Sequence, residues 1–211
     1  MTRDAVLVTG GNSGIGFECA RALAQSGRHV VIASRDRQAS DAAVQRIAGE
    51  SGGDTITALD LDLASTASVR RLVREVDERN LPLRAVVCNA GMQTSKGLRV
   101  NDDGVEMTFA VNHLGHFLLV NLLLDRLVAH APARIVVVGA ARDEESRALA
   151  RRQLDQLVEQ FQRRVGSVAV VHVGVVAGLV EGTVVGRAGS AGSASSSARH
   201  FDASSARPVR S

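Results

Sequence analysis

The sequence has no tryptophan and no tyrosine, a single lysine and only two cysteines in 211 residues. Without indole or phenol it hardly absorbs near 280 nm. With Lys96 the lone lysine, positive charge is almost all arginine, and the net charge of +3 is small. The arginine pairs 70–71, 151–152 and 163–164 stand beside Glu75, Asp155 and Glu159, as on solvated helix faces. That interleaving argues against a nucleic-acid footprint. Cys19 and Cys88 both fall in apolar segments, which favours buried free thiols over a disulfide and fits a reducing cytoplasm. No basic-then-apolar leader opens the chain, so no signal peptide is expected. The longest apolar run, Val168 to Val180, includes His172 and is too short for a membrane helix. The expected setting is therefore cytoplasmic, with no membrane and no nucleic acid as partner.

What is present is an alternation of short apolar runs with helical periodicity. Strands are expected at about 5–9, 29–33, 55–59, 84–88, 134–138 and 168–173, and helices at about 14–26, 38–50, 65–79, 104–129 and 144–164. Alternation of this kind predicts an α/β fold, a doubly wound parallel sheet of about six strands in one domain. Continuous runs such as Val30-Val31-Ile32 fit strands covered on both faces. The turn residues Asn101-Asp102-Asp103-Gly104 are expected to cap the helix that follows. That helix is apolar nearly all round (Phe109, Val111, Leu114, Phe117, Leu118, Leu122), which fits a central position or a subunit contact. From Gly182 onward the composition shifts, with Ala188 to Ser197 made of Gly, Ala and Ser alone, so the folded domain is expected over 1–181 and a disordered low-complexity tail over 182–211.

The densest signal follows the first strand. Thr9-Gly10-Gly11-Asn12-Ser13-Gly14-Ile15-Gly16 joins the apolar run Ala5 to Val8 to a helix. Gly10 permits a tight turn, while Gly14 and Gly16 allow close approach of a pyrophosphate and of helix to strand. The helix start then offers N–H groups and a partial positive charge. Strand, loop and helix in that order are the context that distinguishes a nucleotide loop from an ordinary glycine turn.

Four motifs in order resemble the short-chain dehydrogenase/reductase family, most closely its retinol-dehydrogenase-like branch. They are Thr9-Gly10-x-x-x-Gly14-Ile15-Gly16, Asp62-Leu63 after the third strand, Asn89-Ala90-Gly91 after the fourth, and Asn112 within Phe109 to Phe117. The likeness runs from about residue 4 to 138 and weakly on to about 178. It implies a Rossmann-type fold and a nicotinamide cofactor held by Gly10, Asn12, Ser13, Gly14, Ile15, Gly16, Ser34, Arg35, Asp62, Leu63, Asn89, Ala90 and Gly91. Asp62 would accept from the adenine amino group; the alternative is a cap for helix 65–79. Asn89 and Gly91 end a strand at the carboxyl edge, where open α/β sheets bind ligands; a plain turn is the other reading. Asn112 is a remnant of the family's catalytic site, where it organises a water relay, or else a satisfied core amide. His113 and His116 have no third ligand to make a metal site, so none is expected and packing is assigned to them. Family members pair through helices that correspond here to 104–129 and 144–164, which makes a homodimer, or a heterodimer with an active relative, an expected assembly.

Cofactor choice is read at the end of the second strand. A carboxylate there would hold the ribose 2′-hydroxyl of NAD. Here Ser34 and Arg35 occupy the place, with Asp36 and Arg37 following, and arginine pairs with phosphate through forked, charge-assisted bonds. NADP(H) is thus favoured over NAD(H).

The family's chemistry, by contrast, is missing. It uses a tyrosine as acid or base, a lysine four residues on and a serine at the end of the fifth strand. This chain has no tyrosine, its one lysine is far upstream, and Gly139-Ala140 stand where serines belong. By count, the tyrosine and lysine places fall near Arg142 and Ser146. The threonine usual after the sixth strand is replaced by Gly178, and no seventh strand or substrate lid is expected. Three readings follow. The chain is an NADP(H)-binding relative without the usual machinery, acting as sensor or subunit. It is an oxidoreductase working on a carbonyl or alcohol through another acid, with Asp143, Glu144, Glu145 and Ser146 nearest by count. Or its C-terminal region is the product of a degraded or frameshifted gene.

Overall fold

The structure is a computed structural model that describes residues 4–94, 97–140, 168–176 and 179–185. Two compact units divide it, the first ending at Ala133 and the second beginning at Arg134. In the first, four strands alternate with helices: β1 (Ala5–Thr9), α1 (Gly14–Gln25), β2 (His29–Ser34), α2 (Arg37–Ser51), β3 (Ile56–Asp60), α3 (Thr66–Glu78) and β4 (Leu83–Cys88). A long helix, α4 (Met107–Ala129), ends the unit. The strands lie side by side as β3, β2, β1, β4, all parallel, in registers such as Val6↔Val30 and Leu7↔Val86. This is the doubly wound, Rossmann-type architecture expected from the alternation.

Every residue of β1 is buried because helices cover both sheet faces. Helix α1 packs with α2, and α3 with α4. The core fills with aliphatic side chains in layers: Leu7 and Ile32 from the sheet, Ile47 from α2, Leu72 from α3, and Leu119, Leu123 and Leu127 from α4 are all fully buried. Chain order reverses about β1, which has β2 on one side and β4 on the other. A crevice therefore opens where the loops after β1 and β4 part in opposite directions.

Helix α4 departs from expectation in three ways. It begins at Met107 rather than 104. The Asn101 side-chain Oδ1 closes a local turn by accepting from the N–H groups of Asp103 (3.1 Å) and Val105 (2.8 Å). Capping falls instead to the Glu106 carboxylate, whose two oxygens accept from Thr108 (2.8 Å) and Phe109 (2.7 Å). Those bonds hold Glu106 below the usual glutamate range. Second, the helix widens into a π-type turn over Ala110–Leu114 before resuming α geometry. Third, it is not buried all round. Leu119, Leu123 and Leu127 face the core, while Phe109 and Phe117 are 51% and 37% exposed and stack on either side of His113. By length and composition the helix, with mean hydropathy 1.4, could cross a membrane, although 44% of that stretch is buried within the protein's own fold.

The second unit contains all but the first residue of β5 (Ala133–Ala140), together with β6 (Val168–Val176) and β7 (Leu179–Val185), neighbours in that order. No seventh strand was expected. Yet β7 pairs antiparallel with β6 from Val176↔Leu179 to Val170↔Val185, running across Gly182 where the composition changes. Two strands separated by two residues can pair only antiparallel, and Val180, Thr183, Val184 and Val185 favour the extended state. The expected helix 144–164, the acids Asp143 to Glu145 with Ser146, Arg142, Lys96 and the tail from 186 onward lie outside the described residues.

Candidate functional site

At the carboxyl edge of the first unit, between the loops after β1, β2, β3 and β4, lies a groove of about 770 Å³. Twelve of the thirteen cofactor positions named from the sequence line it: Gly10, Asn12, Ser13, Ile15, Gly16, Ser34, Arg35, Asp62, Leu63, Asn89, Ala90 and Gly91. Gly14 does not line it and borders instead a neighbouring cavity with Phe17 and Arg46. Ala33, Asp36, Leu61, Met92 and Val111 complete the lining and were not anticipated.

The glycines divide their labour. Gly10 turns the chain at φ +65° against Ala90, whose Cα would lie 3.0 Å from an added Cβ. Gly16 seats α1 on the sheet edge, since a Cβ there would overlap the Gly10 carbonyl and the Asn89 amide nitrogen. Gly14 takes φ +55° with nothing near its missing side chain, so conformation rather than packing requires glycine. Gly115 was not singled out by sequence. A Cβ there would overlap the Leu63 carbonyl, so this glycine lets α4 lie against the Asp62-Leu63 loop.

Among the described residues one helix start differs from the rest. Helices α2, α3 and α4 are capped by the side chains of Asp36, Ser65 and Glu106. The Ser13 side chain makes no capping bond to α1, whose first turn carries no carboxylate and opens on the groove through Ile15 and Gly16. An uncapped, acid-free N-terminus leaves donors and a partial positive charge for an anion. Such a cradle of glycines and free N–H groups has the chemistry a pyrophosphate requires.

At the end of β2 the charges sort themselves. Arg37 is committed to Asp41 (3.0 Å) and Asp60 (3.5 Å). Asp36 accepts from the Ala39 N–H at 2.9 Å. Arg35 lines the groove with no hydrogen bond or ion pair among the described residues. Ser34 lies 2.7 Å from Ser40, whose hydroxyl donates to the Asp36 carbonyl. Across the groove, the Asp62 carboxylate accepts from its own loop at Ala64 (2.9 Å), while Ser65 caps α3. Capping is thereby removed as the alternative role for Asp62.

The segment after β4 is clipped to its neighbours. The Asn89 side chain donates to the Thr9 carbonyl (3.0 Å), and the N–H groups of Asn89 and Ala90 donate to the Thr9 hydroxyl (2.9 and 3.0 Å). Asn112 spends its whole amide on one residue, accepting from the Met92 N–H (2.8 Å) and donating to its carbonyl (2.9 Å). His116 was expected only to pack. It is buried, with Nε2 at 2.9 Å from the Thr9 hydroxyl and Nδ1 at 3.2 Å from the Asn112 carbonyl. Burial, with His113 nearby, pushes its imidazole down to about 4, so it is neutral near pH 7. Of the two thiols, both free, Cys88 is buried and its thiol is pushed up to about 12 by desolvation; Cys19 is only half-buried. Among the described residues no cluster of His, Cys, Asp or Glu could hold a metal ion.

Known proteins are similar to this chain over the stretch that builds the groove. A family model described as short chain dehydrogenase matches residues 4–149. The WW domain-containing oxidoreductase of Danio rerio is 47% identical over 135 residues, which are 64% of this chain and 32% of that protein. Retinol dehydrogenase 13 of Homo sapiens is 44% identical over 131 residues, 62% of this chain and 39% of its own length. The chain therefore spans about a third of the curated relatives it matches. Among solved structures, the Pseudomonas aeruginosa RhlG/NADP active-site complex superposes with a TM-score of 0.65 at 27% identity, over 80% of this chain and 70% of that one.

Proposed function

The chain belongs to the short-chain dehydrogenase family, and on that premise we propose that it binds NADP(H) in the groove but lacks the family's usual means of hydride transfer, acting as a sensor or subunit. The observation that carries the reading is the uncapped start of α1 beside Gly10 and Gly16, neither of which leaves room for a side chain, in a groove lined by the residues the motifs name. The pyrophosphate would take the N–H groups of that first turn. Asp62 and Leu63 would meet the adenine. Arg35, the groove cation with no protein partner among the described residues, would pair with the 2′-phosphate, which is why NADP(H) is preferred to NAD(H). The NADP complex of the superposed structure supports the same preference.

The bound cofactor supplies hydride to, or takes it from, a carbonyl carbon. Turnover also needs a proton at the substrate oxygen, and such an acid is typically worth about 10²–10⁴ in rate. The sequence has no tyrosine to provide it, and β5 ends in Gly139-Ala140 where the family's serine would stand. Binding should therefore survive while turnover falls.

A thermal melt in NADPH tests this. Ligand at about 100 times its Kd adds roughly 2.7 kcal/mol of stability. A melting temperature that does not move in saturating NADPH would refute the cofactor site. NADPH oxidation against a panel of aldehydes and ketones tests the rest, since turnover above that of a Gly14→Glu control would show a working acid and sink the sensor reading. We place the protein in the cytoplasm, where Cys19 and Cys88 stay reduced, and assign the exposed Phe109–His113–Phe117 ladder to pairing with a second subunit of this family. A monomer by light scattering at working concentrations, alone and with an active relative, would remove that assignment.

A further inference from the structure

The buried Thr9 hydroxyl has one hydrogen and two lone pairs to place. Both lone pairs are taken by the N–H groups of Asn89 (2.9 Å) and Ala90 (3.0 Å). Its hydrogen must therefore be donated, and the choices are the Val87 carbonyl at 3.3 Å or His116 Nε2 at 2.9 Å. The shorter bond requires Nε2 to be bare. The ring proton then sits on Nδ1, where it donates to the Asn112 carbonyl at 3.2 Å. One tautomer satisfies the Asn89, Ala90, His116 and Asn112 contacts together, and a doubly protonated ring would set a donor against an oxygen with no lone pair left.

These bonds close a ring. Asn89 and Ala90 are held by Thr9 at one end of the segment after β4, and Met92 is held by the Asn112 amide at the other. His116 touches neither end itself but joins the two clips, one through Thr9 and one through the Asn112 carbonyl. The held segment forms a wall of the groove. The π-type turn over Ala110–Leu114 carries Asn112, one helical turn before His116, so both act from one helix on one loop.

We propose that His116 is a positioning residue for the bound nucleotide: as a neutral Nδ1–H imidazole it locks the Thr9 and Asn112 clips into one closed network that fixes residues 89–92 against the glycine loop. This rests on the NADP(H) reading of the groove and adds a residue that does not itself line it.

The test pairs binding with spectroscopy on the full chain. NADPH affinity is measured for the parent, His116→Leu, His116→Gln, Thr9→Val and the Thr9→Val/His116→Leu double variant. Losing one buried hydrogen bond should weaken NADPH about five- to tenfold in His116→Leu. His116→Gln, whose amide oxygen can still accept from Thr9, should recover most of that. The double variant should bind no more weakly than Thr9→Val alone, because His116 acts through that hydroxyl. Nitrogen-15 NMR of the parent at pH 7 should show Nδ1 protonated and Nε2 bare, which tests the network even if His116→Leu does not fold. Parent-like NADPH affinity in His116→Leu, losses that multiply in the double variant, no recovery in His116→Gln, or a protonated Nε2 would each overturn the proposal. A parent that shows no NADPH binding would overturn the cofactor reading itself and this inference with it, and is told apart because the NMR tautomer stands regardless.

Discussion

Acid should destabilise this protein through His116. The imidazole is buried and its proton affinity lies near pH 4 in the fold, against 6.5 when free. Burial is the larger cause, with a smaller contribution from His113; the bond to the Asn112 carbonyl opposes both. Because the folded value is depressed, the unfolded chain takes up a proton that the folded chain refuses. Stability is then fully present above about pH 6.5, falls as the pH drops toward 4, and levels off below that. Each pH unit inside the window is worth about 1.4 kcal/mol, so the full effect is roughly 3 kcal/mol and that between pH 7.5 and 4.5 about 2.5 kcal/mol. With a urea slope of ~2 kcal/mol per M, the midpoint should move by about 1 M. The informative comparison is with His116→Leu. At pH 7.5 the variant should be about 1 kcal/mol less stable, having lost the bond from Thr9. Near pH 4.5 it should be the more stable of the two, because it has no imidazole to charge. Other groups titrate alike in both proteins and cancel. Urea midpoints for the two proteins that stay a constant distance apart from pH 7.5 to 4.5 would refute the reasoning.

Three further outcomes follow from the same geometry. Gly16→Ala must displace the Gly10 carbonyl or Asn89, so it should cost about 1–3 kcal/mol in urea unfolding and abolish the thermal shift by NADPH; a parent-like melt with NADPH would show that the loop yields freely. Arg35→Ser should leave unfolding unchanged and raise the NADPH Kd about tenfold while leaving that for NADH alone, since an unpaired surface arginine contributes to the 2′-phosphate and to little else; equal changes for the two nucleotides in titration would contradict it. Cys88, whose folded thiol titrates near 12 against about 9 unfolded, should resist thiol reagents until unfolding, and stability should fall as pH rises above 9, because only the unfolded thiol ionises there. Rapid labelling of both cysteines in the native protein would count against this.

The sequence made the nucleotide groove readable because its requirements are local. A tight turn at Gly10, a positive φ at Gly14 and a helix opening directly after a strand are properties of consecutive residues. Twelve of the thirteen positions named for the cofactor meet in one groove, since strand ends of a parallel sheet converge at one edge. The start of α4 was misplaced because two side chains compete for nearby N–H groups, and Asn101 spends its side-chain Oδ1 on its own turn while Glu106 reaches two helix donors. The strand β7 was missed because a Gly/Ser-rich composition outweighed its β-branched residues, although pairing with β6 gives its backbone partners.

What the sequence determined by itself was the alternation, the glycine loop, the arginine at the end of β2, and the absence of tyrosine, all of which are matters of composition and spacing along the chain. What only the tertiary structure decided was the use of residues far apart in sequence. Gly115 is needed because Leu63 lies against it, Asn112 is spent on Met92, and His116 is neutral because it is buried against Thr9, 107 positions away. The tautomer of a histidine and the partner of an amide depend on which groups the fold brings within about 3 Å and on how much water it excludes.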